Sequence, residues 1–287
     1  MSIFVNRDTR VVVQGITGNE GSFHARQMLR YGTSIVAGVT PGKGGQEVEG
    51  VPVYEHVSEA TTRRAANTSI IFVPARHARA AVVEAIEAGI KTIVVITESI
   101  PLKDSIDLFA LAENARATII GPNTAGIFSP ANHVHVGIMP THIFQPGRTA
   151  MVSRSGTLTY EVASQITTAG LGQSTCVGIG GDPMVGTDFI TVLEHLKNDA
   201  QTESVVLIGE IGGTGEEYAA QYIKQIHYPK KVVAYIAGRT APPEKRMGHA
   251  GAVIMGTMGT ASGKIEALRS AGVAVADKPS EVPRLLG

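Results

Sequence analysis

One histidine in the sequence is flanked by residues that leave its ring open to reaction. His249 lies in the run Gly248-His249-Ala250-Gly251, and neighbours this small let bulky groups approach the imidazole. A neutral imidazole is a competent nucleophile near pH 7, because its ordinary pKa is about 6.5. A phosphorylated imidazole needs a partner on its second nitrogen, usually a carboxylate. Glu210, in a glycine-rich run at a predicted strand end, is the candidate.

For most of the other eight histidines we expect packing or surface roles. No pair of them has dependable metal-ligand spacing, and Cys176 is the only cysteine. A zinc site is therefore not expected, and no metal-binding residue is predicted.

A second candidate site lies between a predicted strand and a predicted helix. Ser155, Gly156 and Thr157 occupy this position, where backbone N–H groups and hydroxyl groups can bind an anion. The alternative interpretation is ordinary helix capping by Ser155, which needs no ligand.

The first glycine cluster, residues 14–21, also follows a predicted strand and opens a predicted helix. Its spacing is GxxGxxG, a relative of the dinucleotide fingerprint, although a tight turn without a ligand has the same pattern. After the second strand the chain has Lys43 in a glycine-rich loop, where an NAD enzyme would have an acid. Lysine suits phosphate, so the pattern favours coenzyme A (CoA) or NADP over NAD.

Two further loops end predicted strands at the same sheet edge. Thr97 and Glu98 follow the fourth strand, at the edge where open α/β sheets bind ligands; Glu98 is equally well explained as a solvated loop acid. Asn123 lies in the rigid run 121–126 after the fifth strand and offers both donors and an acceptor. We interpret it as a wall of an acyl-substrate site, with a structural turn as the alternative.

The composition bounds the class of protein. The 287 residues carry 25 Lys plus Arg and 25 Asp plus Glu, so there is no net charge to attract nucleic acid or an anionic membrane. A single cysteine excludes an internal disulfide and indicates a reducing compartment. The N-terminal residues do not resemble a targeting segment, and no apolar run is long enough to span a bilayer. We expect a cytoplasmic protein.

Strand and helix patterns alternate along the whole chain, which is typical of parallel sheets built from βαβ units. Two open α/β sheets in tandem are predicted, with domains at 1–130 and 148–287 joined by a linker at 131–147. The predicted strands are 10–14, 34–39, 68–73, 91–96, 117–120, 148–152, 174–178, 204–208, 231–236 and 273–276. The predicted helices are 21–31, 57–65, 76–88, 102–115, 156–168, 188–198, 215–226 and 260–271.

The motifs together resemble the α subunits of the succinate–CoA ligases, also called succinyl-CoA synthetases. The resemblance covers essentially the whole chain and is strongest in the tracts SRSGTLTYE, VGIGGDP and KRMGHAGA. It implies an N-terminal Rossmann-like CoA-binding domain followed by a flavodoxin-like doubly wound parallel-sheet domain. The stretches that carry it are 14–21, 38–45, 96–98, 121–126, 153–161, 172–183, 208–213 and 246–252.

The resemblance also implies roles for the matching residues. His249 would be the phosphohistidine, Glu210 would orient its ring, and the helix start at 155–157 would hold the phosphate. Tyr160 would help to form the acyl-substrate site. The residues implied to contact CoA are Thr17, Gly18, Asn19, Glu20, Lys43, Ile96, Thr97 and Glu98.

The implied partner is a β subunit with an ATP-grasp domain that binds ATP or GTP with magnesium, in an αβ or α2β2 assembly. The implied reaction phosphorylates His249 from the nucleotide, passes the phosphate to succinate or a similar dicarboxylate, and ends with attack by the CoA thiol.

Some positions depart from the family pattern. Many relatives have Cys-Pro at the positions of Thr124-Ala125, and a lysine is common where this chain has Met258. The first departure leaves a malate–CoA or citrate–CoA ligase α subunit open as an alternative. An NADP-dependent oxidoreductase is the alternative from another class, and a CoA-sensing module without catalysis is a third.

Overall fold

The computed structural model describes residues 3–242, 245–256 and 258–287. Within these ranges the chain forms two mixed, mostly parallel sheets flanked by helices. The strands are β1 Val11–Gln14, β2 Ile35–Val39, β3 Glu47–Val48, β4 Val51–Tyr54, β5 Thr68–Ile71, β6 Thr92–Val95, β7 Thr118–Ile120, β8 Gly126–Ser129, β9 Val134–Gly137, β10 Pro146–Ser153, β11 Gln173–Gly178, β12 Ser204–Glu210, β13 Lys231–Ala237 and β14 Ala274–Ala276. The helices are α1 Asn19–Tyr31, α2 Val57–Arg64, α3 Ala75–Glu87, α4 Leu102–Ala115, α5 Gly156–Thr168, α6 Phe189–Lys197, α7 Gly215–Gln225, α8 Ala261–Ser270 and α9 Val282–Leu286.

The first sheet has the strand order β3-β4-β2-β1-β5-β6-β7. Apart from β3, which is antiparallel to β4, its strands run parallel in the Rossmann order 3-2-1-4-5-6. The strand order reverses between β1 and β5, which end at Gln14 and Ile71. Ligands of open α/β sheets bind at such a reversal, and the glycine cluster begins there.

The second sheet has the order β14-β13-β12-β10-β11-β8-β9. Its parallel strands β10 to β14 follow the flavodoxin-like order 2-1-3-4-5. The reversal falls between β10 and β12, where Ser153 pairs with Ile208. Ser155 lies just after β10 and Glu210 is the last residue of β12, so the topology alone brings both candidates to one edge. The predicted fold class is confirmed.

Strands that the sequence did not predict lie in and beside the predicted linker. Strands β8 and β9 form an antiparallel pair, and β8 pairs with β11 at the edge of the second sheet. The predicted linker 131–147 contains β9 and the start of β10, and so contributes strands to the second sheet. These strands are four residues long and separated by Pro130, which is why a loop was predicted. The domain limits themselves stay a prediction.

The two halves of the chain pack against each other rather than standing apart. One buried apolar cluster includes Val13 and Ile70 from the first sheet together with Val152 and Leu207 from the second. The Thr33 hydroxyl, beyond the end of α1, donates to the carbonyl of His135 in β9 at 2.9 Å. Because the halves share a core, the loops at their carboxyl edges are held at fixed separations.

No helix among the described residues is both long enough and apolar enough to cross a membrane.

Candidate active site

His249 and Glu210 meet at the carboxyl edge of the second sheet. The Nδ1 atom of His249 lies 2.8 Å from Oε2 and 3.0 Å from Oε1 of Glu210. A carboxylate can only accept a hydrogen bond, so the ring hydrogen is on Nδ1 and the Nε2 lone pair is free to attack an electrophile. The Glu210 side chain is 9% exposed and the His249 side chain 29% exposed, which leaves the ring accessible from one side.

The pairing also sets the protonation of the ring. The hydrogen bond that the ring donates to Glu210 raises the pKa of His249 above its ordinary value, while burial and the nearby Arg154 cation oppose the rise and the charge of Asp182 supports it. A positive charge on the imidazole is therefore stabilised here, including the charge that develops when a ring nitrogen attacks an electrophile. Since only the neutral ring is nucleophilic, reactivity should increase as the pH rises through the raised pKa and then level off.

Gly181 lies directly against the His249 ring. A Cβ atom at position 181 would be 2.4 Å from Cγ and 2.6 Å from Nδ1 of His249. The Gly181 carbonyl accepts the Gly251 N–H at 3.2 Å, so the same residue supports the loop that carries the histidine. Gly181 belongs to the VGIGGDP tract, but the sequence predicts no role for it.

Arg154 and Asp182 belong to the same cluster, and sequence reasoning missed both. The Arg154 Nε atom lies 3.3 Å from Oε1 of Glu210, and its Nη2 donates to the Asp182 carbonyl at 2.9 Å. Burial raises the pKa of the Asp182 carboxyl, and the hydrogen bond from Asn123 opposes the rise. Two signals in the sequence could have marked them as site residues. Arg154 is a charged residue inside SRSG, and Asp182 is an acid directly after two glycines near a strand end.

Asn123 joins the edges of the two sheets. Its Nδ2 donates to Oδ1 of Asp182 at 3.1 Å, and its backbone N–H donates to the Thr97 carbonyl at 3.0 Å. The candidate acyl-site residue thus lies between the first-domain loop after β6 and the cluster around His249. Its contact with substrate stays a prediction.

The start of α5 supports both interpretations of residues 155–157. The Ser155 hydroxyl caps the helix by accepting the Leu158 N–H at 3.3 Å. Within the described part of the chain, the N–H groups of Gly156 and Thr157 have no protein acceptor, so they can hold an anion at the positive end of a 13-residue helix. Arg154 connects this helix start to Glu210.

Tyr160 lies over the same helix start. Its hydroxyl oxygen is 3.7 Å from the place that a Cβ of Gly156 would take. Burial raises the pKa of Tyr160 to about 12, so the hydroxyl keeps its proton at neutral pH and can donate a hydrogen bond.

The first sheet carries two adjoining cavities. One of about 520 Å³ lies at the β1/β5 reversal and is lined by Gly15, Thr17, Gly18 and the loop 39–41. The other, of about 310 Å³, is lined by Glu20, His24, the run 96–98 and Ile138. Phe72, Val73 and Pro74 line both.

The two cavities share one wall, and we refer to them together as the trough, with the glycine cluster at one end and the loop after β6 at the other. The predicted residues Asn19 and Lys43 are exposed beside this trough rather than part of its lining. Lys43 lies two residues beyond Pro41, which does line it.

Comparison with known proteins identifies the family of this chain. Residues 6–99 match the family described as CoA binding domain, and residues 152–274 match the one described as CoA-ligase. The ADP-forming succinate–CoA ligase subunit alpha 2 of Archaeoglobus fulgidus is 57% identical over 286 residues, which covers 100% of this chain and 99% of the relative. The corresponding α subunit of Aquifex aeolicus is 57% identical over 284 residues, covering 98% and 92%.

The chain belongs to the family of succinate–CoA ligase α subunits. The resemblance drawn from the motifs is therefore confirmed, and this family membership favours a ligase over an NADP-dependent oxidoreductase. The roles of individual site residues stay predictions.

A solved structure extends the likeness of fold beyond the family of α subunits. ATP citrate lyase from Methanothrix soehngenii, in complex with citrate and coenzyme A, superposes with a TM-score of 0.90 at 24% identity. The match covers 99% of this chain and 50% of that chain, so the present chain spans about half the length of that protein. At this identity the comparison establishes the fold alone.

Proposed function

We propose that the chain is the α subunit of an ADP-forming succinate–CoA ligase and that His249 carries the phosphoryl group between nucleotide and succinate. One observation carries the proposal: the His249 ring is accessible on one side and bound through Nδ1 to Glu210 at 2.8 Å. This arrangement leaves Nε2 as the nucleophile and stabilises the charge on the ring. The names of the relatives support the choice of succinate and of ADP.

The proposed reaction has three steps. Nε2 of His249 attacks the γ-phosphorus of ATP, forming an N–P bond as ADP leaves. A succinate carboxylate oxygen then attacks the same phosphorus, which breaks the N–P bond and gives succinyl phosphate. Last, the CoA thiolate attacks the acyl carbon and expels phosphate, giving succinyl-CoA.

The residues around His249 would stabilise these steps. The free N–H groups of Gly156 and Thr157, at the positive end of α5, suit the oxygens of the transferring phosphoryl group. Asn123, whose amide group lies against Asp182, and Tyr160, whose protonated hydroxyl lies near that helix start, suit the acyl substrate.

CoA fits the first domain. In this proposal the phosphates lie at the glycine turn, with Thr17, Gly18, Asn19 and Glu20 at the start of α1 and Lys43 beside it. The uncapped start of α1 favours phosphate. The trough then leads along Val73 and Pro74 to Ile96, Thr97 and Glu98, and the Asn123–Thr97 hydrogen bond brings this end close to the His249 cluster.

The proposal requires a β subunit. The relatives are named as α subunits, which supports a heteromeric enzyme. We propose that the partner contributes an ATP-grasp domain holding ATP or GTP with magnesium, in an αβ or α2β2 assembly.

Labelling tests the proposal directly. The αβ complex incubated with Mg²⁺ and ATP labelled with ³²P at the γ position should acquire acid-labile, base-stable label on the α chain. His249→Asn should abolish both label and succinyl-CoA formation while CoA binding is kept. The exposed His142 offers a matched control, because His142→Asn should keep the label. Normal labelling of the His249→Asn complex would refute the proposal.

The departure at Thr124 left malate or citrate open as the acid substrate. The Thr124 hydroxyl, however, is hydrogen-bonded to other groups of the protein. This hydroxyl donates to the Gly178 carbonyl and accepts the Gly126 N–H at 2.9 Å. Nothing at this position therefore favours a hydroxy-acid over succinate. Measuring CoA-dependent ADP release with succinate, malate and citrate decides the acid.

A further inference from the structure

A fully buried lysine lies behind the His249–Glu210 pair. Lys264 in α8 has a 0% exposed side chain, and its ammonium group contacts Glu216, Glu217 and a backbone carbonyl. It donates to one carboxylate oxygen of Glu216, to Oε2 of Glu217 at 2.9 Å and to the Gly213 carbonyl at 3.1 Å. All three ammonium hydrogens therefore have acceptors.

Glu216 connects this lysine to the active site. Its side chain is 2% exposed, and its second oxygen, Oε1, accepts the backbone N–H of Glu210 at 3.0 Å. The side chain lies across Gly209, where a Cβ atom would be 2.6 Å from Cγ of Glu216. A continuous path runs from the Lys264 ammonium through Glu216 to the backbone of Glu210 and on to His249.

Stability alone gives a weak reason for this pair. Burying two charges removes both from water at a large cost, and apolar residues of similar volume are often equally stable or more stable. An apolar pair would, however, leave the Glu210 N–H without its acceptor at the end of β12. It would also release the Gly213 carbonyl, so the loop after Glu210 would lose one of its attachments to α8.

We propose that Lys264 and Glu216 are positioning residues that fix the backbone of Glu210, so that its carboxylate meets Nδ1 of His249. This inference rests on the proposed function, in which His249 carries the phosphoryl group. Lys264 holds Glu216 in place, and Glu216 holds the residue that orients the ring.

Two double variants separate positioning from charge. Glu216→Met/Lys264→Met removes both charges and also the acceptor for the Glu210 N–H. Glu216→Gln/Lys264→Met removes both charges but keeps an amide oxygen that can accept this N–H. Glu217 is 27% exposed and can turn to solvent in both. The exposed pair Arg148–Glu203, 2.7 Å apart at the opposite end of the strands, supplies the control Arg148→Met/Glu203→Gln.

The rate of ³²P labelling of His249 in the αβ complex is measured against pH. The charged groups that act on His249 are Glu210, Arg154 and Asp182, and none is altered. We expect the Met/Met variant to be labelled about tenfold more slowly, a loss typical of removing the partner that orients a functional ligand. Its acidic limb should also move to lower pH, because a displaced Glu210 no longer raises the pKa of the ring. The Gln/Met variant should have most of the parent labelling rate, and its acidic limb should lie near that of the parent. The Arg148→Met/Glu203→Gln control should have the same rate and pH profile as the parent.

Equal rates and profiles for the parent and the Met/Met variant would overturn the inference, as would equal loss in both double variants. If the Met/Met chain does not fold, judged by its thermal unfolding and CoA binding, a tenfold loss in the Gln/Met variant still overturns it. Failure to label the parent complex would instead refute the proposed function.

Discussion

The contact between Gly181 and His249 gives the sharpest test of the site. Replacing Gly181 by alanine places a Cβ atom 2.4 Å from Cγ of the ring. Carbon atoms in contact are ordinarily about 3.5 Å apart, so the ring must move by about 1 Å. Because the ring is the movable partner, its Nδ1 would leave Glu210, and the 2.8 Å distance would grow beyond the roughly 3.2 Å limit of an N–H···O bond.

The expected effect is on phosphoryl transfer and not on CoA binding. A displacement of about 1 Å at a reacting group can cost about 100-fold in rate, and we expect His249 labelling in Gly181→Ala to slow by about that factor. Loss of the Glu210 hydrogen bond, the largest cause of the raised pKa of His249, should also shift the acidic limb of the labelling rate to lower pH. Single-turnover labelling across pH 5 to 8 measures both effects.

Gly215→Ala is the matched control. A Cβ at position 215 meets only Phe189, at an ordinary 3.8 Å, so this variant should be labelled at the parent rate. The reasoning is refuted if Gly181→Ala is labelled as fast as Gly215→Ala, with an unshifted acidic limb, while both bind CoA normally.

Three further predictions follow from the same structure. Glu210→Gln should slow labelling by at least about tenfold and move its acidic limb to lower pH, measured as for Gly181→Ala; an unmoved limb would contradict the assigned cause of the pKa shift. Lys43→Met should weaken CoA binding in calorimetry by up to about fivefold, since an exposed lysine near phosphate contributes about 1 kcal/mol at most; unchanged binding would contradict a contact between Lys43 and a CoA phosphate. Burial lowers the pKa of His135 to about 3 against about 6.5 in the unfolded chain. Stability is therefore fully present above pH 6.5, and the free energy of unfolding falls by about 1.4 kcal/mol per pH unit below it, because only the unfolded chain binds the proton there. His135→Leu should flatten this dependence between pH 6.5 and 4, measured by urea unfolding, and an unchanged slope would contradict the lowered pKa.

The main elements were predictable because local patterns and topology agree. Each long parallel strand is a β-branched run followed by an amphipathic helix, and parallel strands bring their carboxyl ends to one edge. The pairing of Glu210 with His249 could be anticipated from that rule and from the need for a carboxylate on the ring. The ends of the elements differ by a few residues: β12 continues through Glu210, and α1 begins at Asn19.

Short strands were missed where pairing is decided by distant residues. Val51–Tyr54 contains a proline and Gly126–Ser129 has four residues, so neither carries a strong local signal. Each forms because a neighbouring strand, β2 or β11, offers it hydrogen bonds.

The supporting residues of the site were hidden for a similar reason. Glu216 lies in the first turn of α7, where an acid is already explained by the helix dipole. Lys264 is 48 positions away in sequence, and a lysine in a helix normally reads as solvent-facing. Only the packing of α7 on α8 shows that both are buried. The roles of Arg154 and Asp182 were hidden in the same way, because the loops that carry them come together only in the folded structure.

The β8–β9 hairpin has a practical consequence for dividing the protein into separately expressed pieces. Strand β8 bonds to β9 on one side and β11 on the other, so a fragment cut at residue 130 would end in a strand stripped of both neighbours. Such an open edge invites aggregation. A shorter N-terminal fragment stopping near Ile120 would keep β1 to β7 and avoid that hazard, and the complementary piece should begin before Gly126 to complete its own sheet.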